Sequence, residues 1–261
     1  MAENDPSASS SMPAATAEGA APLPLFYRRP APLSALRHFG LSLSATDSFA
    51  FARDANAIPL NVSEFSLAAR HYPIVFTPTD PVTPVAVVGI AKSRNLFVDA
   101  AGKWLAGAYI PAYVRRYPFL FIEDKEKDEF ILGIDDAAKA LREEAGEKDR
   151  LFWEGKPTSL IERAMAFCKE YQSDLNFTRK FCAALEEDRL LADKEAGVAL
   201  KDGKKFRLTG FRIVDEAKFD KLPAKPLLQL RRRRFMHPIY LHMISTANWA
   251  TLVDLAAQQG D

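Results

Sequence analysis

The stretch VALKDGKKFRLTGF, residues 198–211, constrains the fold more than any other. Two alternating runs flank Asp202-Gly203, and this dipeptide supplies the positive φ angles of a type I′ turn. The chain must double back here as an antiparallel pair. Earlier runs have related character. PIVFT, PVAVVGIA and NLFVD, between Pro73 and Asp99, are short, rich in β-branched residues and bounded by Pro, Gly and Asn, so they read as adjacent strands. PFLFIED and EFILGID read as two more, joined by the charged turn at Lys125–Asp128. Phe49 and Phe51 alternate around Ala50, as in a half-buried strand. Asp99–Gly102 reads as a turn with Gly102 at positive φ, and Lys103 and Trp104 begin the returning strand.

Helical signals are concentrated later. Asn61 and Glu64 are spaced as a capping box, and the short helix they start is stopped by Pro73. Phe65, Ala68, Ala69 and Tyr72 share one face of it. Asp135 or Asp136 can cap a short polar helix reaching about Ala145. Thr158 is placed as the N-cap of a helix whose apolar face includes Ile161, Met165 and Cys168. A second helix is expected from about Phe177 to Leu191, with Ser173-Asp174 between the two. FMHPIYLHMISTANWATLVDLAAQ reads as a long terminal helix, with Pro238 in its first turn. Strands come first, then helices with one hairpin returned to the sheet. The expected class is α+β: a mainly antiparallel sheet with helices packed against it and a long C-terminal helix.

Residues 1–22 are rich in Ala, Ser and Pro and cannot bury enough surface to offset chain entropy, so a disordered N-terminal tail is expected. Residues 23–261 then form a single domain. The net charge of +1 gives no overall pull toward nucleic acid or an anionic surface. No apolar run approaches the ~18 residues of a membrane-spanning helix. The start MAENDPSASS lacks the basic and apolar regions of a secretory signal, which predicts a cytoplasmic protein unless another export route takes it. Cys168 and Cys182 fall among apolar neighbours and read as reduced core thiols.

The search for chemistry is mostly negative. No GxGxxG, GxxxxGK[ST], HExxH, CxxC or GxSxG pattern occurs, so no cofactor and no metal are expected. Glu64 and His71 would share a helical face as an acid–base pair; the plainer reading makes Glu64 a capping residue and His71 a helix-end residue. Tyr109, Tyr113 and Tyr117 recur every four residues, an aromatic stripe of the kind used in cores. Arg115 and Arg116 beside these tyrosines fit a carboxylate or phosphate, and also a solvated face or a structural ion pair. His38 reads as a structural residue. Arg231–Arg234 reads as a solvated turn before the last helix, and nucleic acid is not expected as its partner.

IPLNVSEFSLAARHYPIVFT, NLFVDAAGKWLAGAYIPAYVRRYPF and LFWEGKPT together resemble the SapC family of bacterial proteins. The resemblance runs through Pro59, Glu64 and Phe65, Tyr72-Pro73-Ile74-Val75-Phe76, Asn95-Leu96-Phe97, Gly102 and Trp104, and Arg115-Arg116-Tyr117-Pro118-Phe119, over about residues 23–255. It implies a bacterial source and a link to the cell envelope or surface layer, and it carries no catalytic residues. A peptide-transporter permease shares the family's name, but the absence of long apolar runs sets it apart. The function expected is that of a non-catalytic accessory or binding protein with a protein partner of the envelope. The alternative is an enzyme or small-molecule-binding protein whose pocket for an anionic ligand is lined by Glu64, His71, Trp104, Tyr113, Arg115 and Arg116.

Overall fold

Hairpins and packed helices dominate the computed structural model, which describes residues 8–11, 23–44, 48–124, 127–143, 149–199 and 205–259. In chain order the strands are β1 (Ala8–Ser11), β2 (Pro30–Pro32), β3 (Ser42–Leu43), β4 (Ala57–Pro59), β5 (Ile74–Phe76), β6 (Pro84–Val87), β7 (Phe119–Asp124), β8 (Glu129–Asp135), β9 (Leu141–Arg142), β10 (Phe152–Trp153), β11 (Lys156–Pro157), β12 (Leu191–Ala199) and β13 (Lys205–Val214). The helices are α1 (Ala35–His38), α2 (Phe65–Ala68), α3 (Ala112–Arg115), α4 (Ser159–Glu187), α5 (Glu216–Asp220), α6 (Ala224–Arg232), α7 (Met236–Ser245) and α8 (Trp249–Gln259). The chain groups into two compact units rather than one. One combines Met1–Ala14, Phe49–Ala112 and Asp174–Asp261; the other combines Ala15–Ser48 and Tyr113–Ser173.

The first unit is built on the sheet β4-β6-β5-β13, with β12 and β1 also paired to β13. All these pairings are antiparallel except β1 with β13. The expected hairpin is present: β12 and β13 pair from Leu191↔Val214 to Ala199↔Lys205, while its tip at Asp202-Gly203 lies outside the described residues. The register shifts between Lys194 and Ala196, opposite Gly210, whose φ of 77° lets β13 take up the extra residue. Ala8–Ser11 is a strand within the stretch expected to be a disordered tail; the rest of 1–22 lies outside the described residues. Phe65, Ala68 and Tyr72 are fully buried and Ala69 nearly so, as the helical spacing requires. Phe181 on α4 meets the rings of both Phe65 and Phe76, each at 6.2 Å.

Helix α7 closes this sheet with polar groups. His242, 1% exposed, accepts the Val214 N–H on Nε2 at 3.0 Å. Its Nδ1–H therefore donates to the Ile74 carbonyl at 2.8 Å. Strands β5 and β13 share a single register pair, Arg212↔Phe76, and the imidazole bridges them where their ladder stops. Ser245 accepts the Ile74 N–H at 2.9 Å, so both backbone groups of Ile74 are satisfied by α7.

Burial lowers the His242 pKa to about 4, against the opposing pull of the Ile74 carbonyl. An unfolded chain titrates this imidazole near about 6.5, so between the two values it takes up a proton that the folded chain refuses. Stability is thus complete above about pH 6.5 and falls by roughly 3 kcal/mol as the pH drops to about 4. The thermal midpoint of the wild type is expected to decline more steeply across this window than that of His242→Asn. Parallel slopes would remove His242 as the cause.

The second unit holds a three-stranded sheet, β2-β8-β7, with antiparallel pairing throughout. Its core gathers Phe119, Leu132, Ile134, Leu151, Phe152, Ile161 and Cys168. The β7–β8 hairpin was legible from its two apolar runs.

Other expectations are corrected. Phe49 caps a 3-10 turn at Ala50–Ala52 and Phe51 lies within it, so neither lies in a strand. In NLFVD only Val98 pairs, in an isolated bridge to Trp104, although the Asp99–Gly102 turn forms with Gly102 at φ 82°. The polar helix expected after Asp136 is replaced by turns and β9. The two helices expected around Ser173-Asp174 are one helix, α4, of 29 residues. Neither Gly nor Pro interrupts it, and Asp174 uses its carboxylate to accept the Ser63 hydroxyl at 2.5 Å. The C-terminal helical run is as expected: α7, a 3-10 turn at Thr246–Asn248 and α8 follow without a break. Among the described residues no helix is long and apolar enough to cross a membrane.

Candidate functional site

In the first unit, the capping box of Asn61 and Glu64 forms as its spacing requires. Glu64 does more than cap. One carboxylate oxygen accepts the Asn61 N–H at 2.8 Å; the other accepts the Ala112 N–H at 2.6 Å and the Tyr109 hydroxyl at 2.9 Å. At 5% exposure this carboxylate is a buried junction tying the start of α2 to the 109–112 segment. His71 lies beyond the end of α2, with its ring 6.0 Å from that of Tyr72. Partial burial, and then the Arg70 charge, lower its pKa. The helical face proposed for a Glu64–His71 pair does not exist, because α2 ends at Ala68. Trp104 donates its Nε1–H to the Tyr72 hydroxyl at 3.1 Å, and that hydroxyl donates in turn to the Tyr109 carbonyl.

The other three candidates belong to the second unit. The tyrosine stripe is not one helical face, since α3 covers only Ala112–Arg115. Tyr113 donates to the Leu25 carbonyl at 3.3 Å, and Tyr117 to Asp135 at 3.1 Å. Arg116 points inward. Its guanidinium carbon lies 4.2 Å from the Tyr113 ring centre, 4.5 Å from Tyr171 and 5.6 Å from Tyr27. The faces of three rings thus balance a largely buried cation. Its Nε is buried and finds no acceptor among the described residues. Burial raises the Tyr113 pKa, although Arg116 opposes the shift. Cys168 is likewise pushed up to about 11 by burial, so it remains a thiol at neutral pH. Arg115 is exposed, its guanidinium 5.3 Å over the Phe167 ring.

Two acidic groups that the sequence offered only as helix-cap candidates organise the same unit. Asp135, fully buried, accepts the N–H groups of Arg28 at 3.1 Å, Arg29 at 2.7 Å and Ala137 at 3.2 Å, as well as the Tyr117 hydroxyl. Asp136 receives Nε2 of the buried His38 at 3.0 Å and pairs with Arg37. His38, Arg37 and Asp136 line a cleft of about 370 Å³ together with Arg29, Arg142 and Glu143. His38 is 98 positions from its carboxylate. Among the described residues no group of three or more His, Cys, Asp or Glu side chains is arranged to hold a metal.

A family model described as SapC matches residues 33–252 of this sequence. The chain belongs to the SapC family. The match takes in every element from α1 through the first turn of α8, and therefore both units of this SapC protein. No curated protein and no solved structure matches the chain.

Proposed function

We propose that this protein is a non-catalytic accessory or binding protein of a bacterial cell-envelope or surface-layer system. Membership of the SapC family supports the envelope connection. The observation that carries the binding reading is the role of the buried polar groups in the most patterned stretch. Glu64 is occupied by Asn61, Tyr109 and Ala112, and Arg116 by three tyrosine rings. Such groups hold a surface in shape. Arg115, exposed beside Phe167, is the part of the Arg115-Arg116 pair that faces outward.

The test is a pull-down from a bacterial envelope fraction with tagged full-length protein and an Arg115→Glu variant of unchanged thermal midpoint. An envelope protein retained by the wild type and depleted about tenfold in the variant is expected, a loss typical of an interface charge turned repulsive. Equal recovery would remove Arg115 from the contact. A second reading, an anionic small-molecule site, gains support from the Arg29, Arg37 and Arg142 cleft and not from Arg115 and Arg116. A metabolite that raises the midpoint of the wild type but not of Arg142→Ala would favour it.

A further inference from the structure

The basic run Arg231–Arg234 serves no purpose in either reading above. From Lys221 to Arg234 the chain carries six Lys or Arg and no Asp or Glu, while its overall charge is only +1. The first half of this stretch is not merely polar. Leu227 and Leu228 are 37% and 44% exposed. On α6, Lys225 lies three residues before Leu228, and Arg231 and Arg232 lie three and four after it. At 3.6 residues per turn an exposed leucine is therefore bordered by three cations on the solvent face.

The opposite face anchors the helix. Leu230 is buried at 1%, and the Phe235 N–H bonds back to the Leu230 carbonyl at 2.9 Å. Arg234 adopts φ 64°, the position a helix end ordinarily gives to glycine, and this turn drives Phe235 inward onto Phe177 and Phe181. Leu230 and Phe235 thereby fix which way the cations point. Among the described residues, Arg233 alone of the four arginines approaches an acid, Glu187 at 4.0 Å, and all four are exposed.

We infer that the outer face of α6, with Leu228 between Lys225, Arg231 and Arg232, docks on an anionic lipid surface. Cations draw the helix to the headgroups and the leucines enter the acyl boundary, the combination that distinguishes an interfacial helix from a purely electrostatic patch. A nucleic-acid backbone would use the arginines and leave the leucines in water. The inference stands apart from the protein-partner reading, because its test contains no second protein.

Full-length protein is sedimented with vesicles of phosphatidylcholine alone or of equimolar phosphatidylcholine and phosphatidylglycerol. Binding is expected only to the second. Arg231→Gln with Arg232→Gln should weaken it about 25-fold, at roughly fivefold per cation near the surface. Leu228→Ser should weaken it by at least ~3-fold, with circular dichroism and thermal midpoint unchanged for these exposed positions. Failure to sediment with the anionic vesicles, or equal binding by wild type and both variants, overturns the inference. So does tighter binding to random duplex DNA that Leu228→Ser leaves untouched, which would assign the face to nucleic acid.

Discussion

Replacing Asp135 with alanine is expected to lower the unfolding free energy by about 4 kcal/mol, the scale for removing one side of a buried, hydrogen-bonded charge. The carboxylate collects three backbone N–H groups and the Tyr117 hydroxyl. Two of those N–H groups, at Arg28 and Arg29, lead into β2, whose Pro30 pairs with Asp135 itself. Alanine leaves the donors without an acceptor and a void where the carboxylate stood. Asparagine restores the shape but turns one acceptor into a donor facing other donors, so about half the loss should remain. Tyr117 supplies an independent readout. Its pKa is raised by burial and then by the Asp135 charge, so Asp135→Asn should bring its ultraviolet titration to lower pH. The loss of stability would be read by thermal unfolding, at roughly 2–4 °C per kcal/mol for a chain of this size. A midpoint within about 1 °C of wild type would deny Asp135 its structural role.

Glu64→Ala should cost nearly as much, about 3 kcal/mol, because three donors converge on one buried carboxylate. Glu64→Gln is the sharper experiment. Its amide has one oxygen to offer, so it can serve Asn61 or the Tyr109–Ala112 side, but not both. A loss between those of wild type and alanine is expected in denaturant melts, together with faster amide exchange at Ala112. A glutamine variant as stable as wild type, with only a binding or catalytic defect, would return Glu64 to the functional candidates.

What was legible in the sequence was local. The capping box spans three positions, the buried face of α2 and Tyr72 spans seven, and the β12–β13 hairpin is marked by its turn dipeptide. Each depends on geometry that neighbours along the chain determine. The missed features depend on long closures. Asp135 meets Arg28 and Arg29 across more than a hundred positions, and Arg116 gathers Tyr27 and Tyr171 from either side. No spacing rule reports such partners. NLFVD failed as a strand because a five-residue apolar run reads the same whether or not a ladder partner is available. The break expected at Ser173-Asp174 failed because no Gly or Pro interrupts the helix there and Asp174 finds a tertiary partner in Ser63.

The order of strands in the first unit carries a consequence for how the protein is made. β5 and β6 emerge early, yet β5 meets β13 only at Arg212, and the imidazole that extends this seam comes later still, at His242. At roughly 5–20 residues per second, a ribosome needs on the order of ten seconds to travel from Phe76 to Arg212. Throughout that interval Ile74, Val75 and Phe76 have one strand edge without its final partner. The larger segment of the second unit, Tyr113–Ser173, is synthesised meanwhile. Nascent chains stalled before the codon for Arg212 would therefore present an open, apolar strand edge to chaperones or to one another.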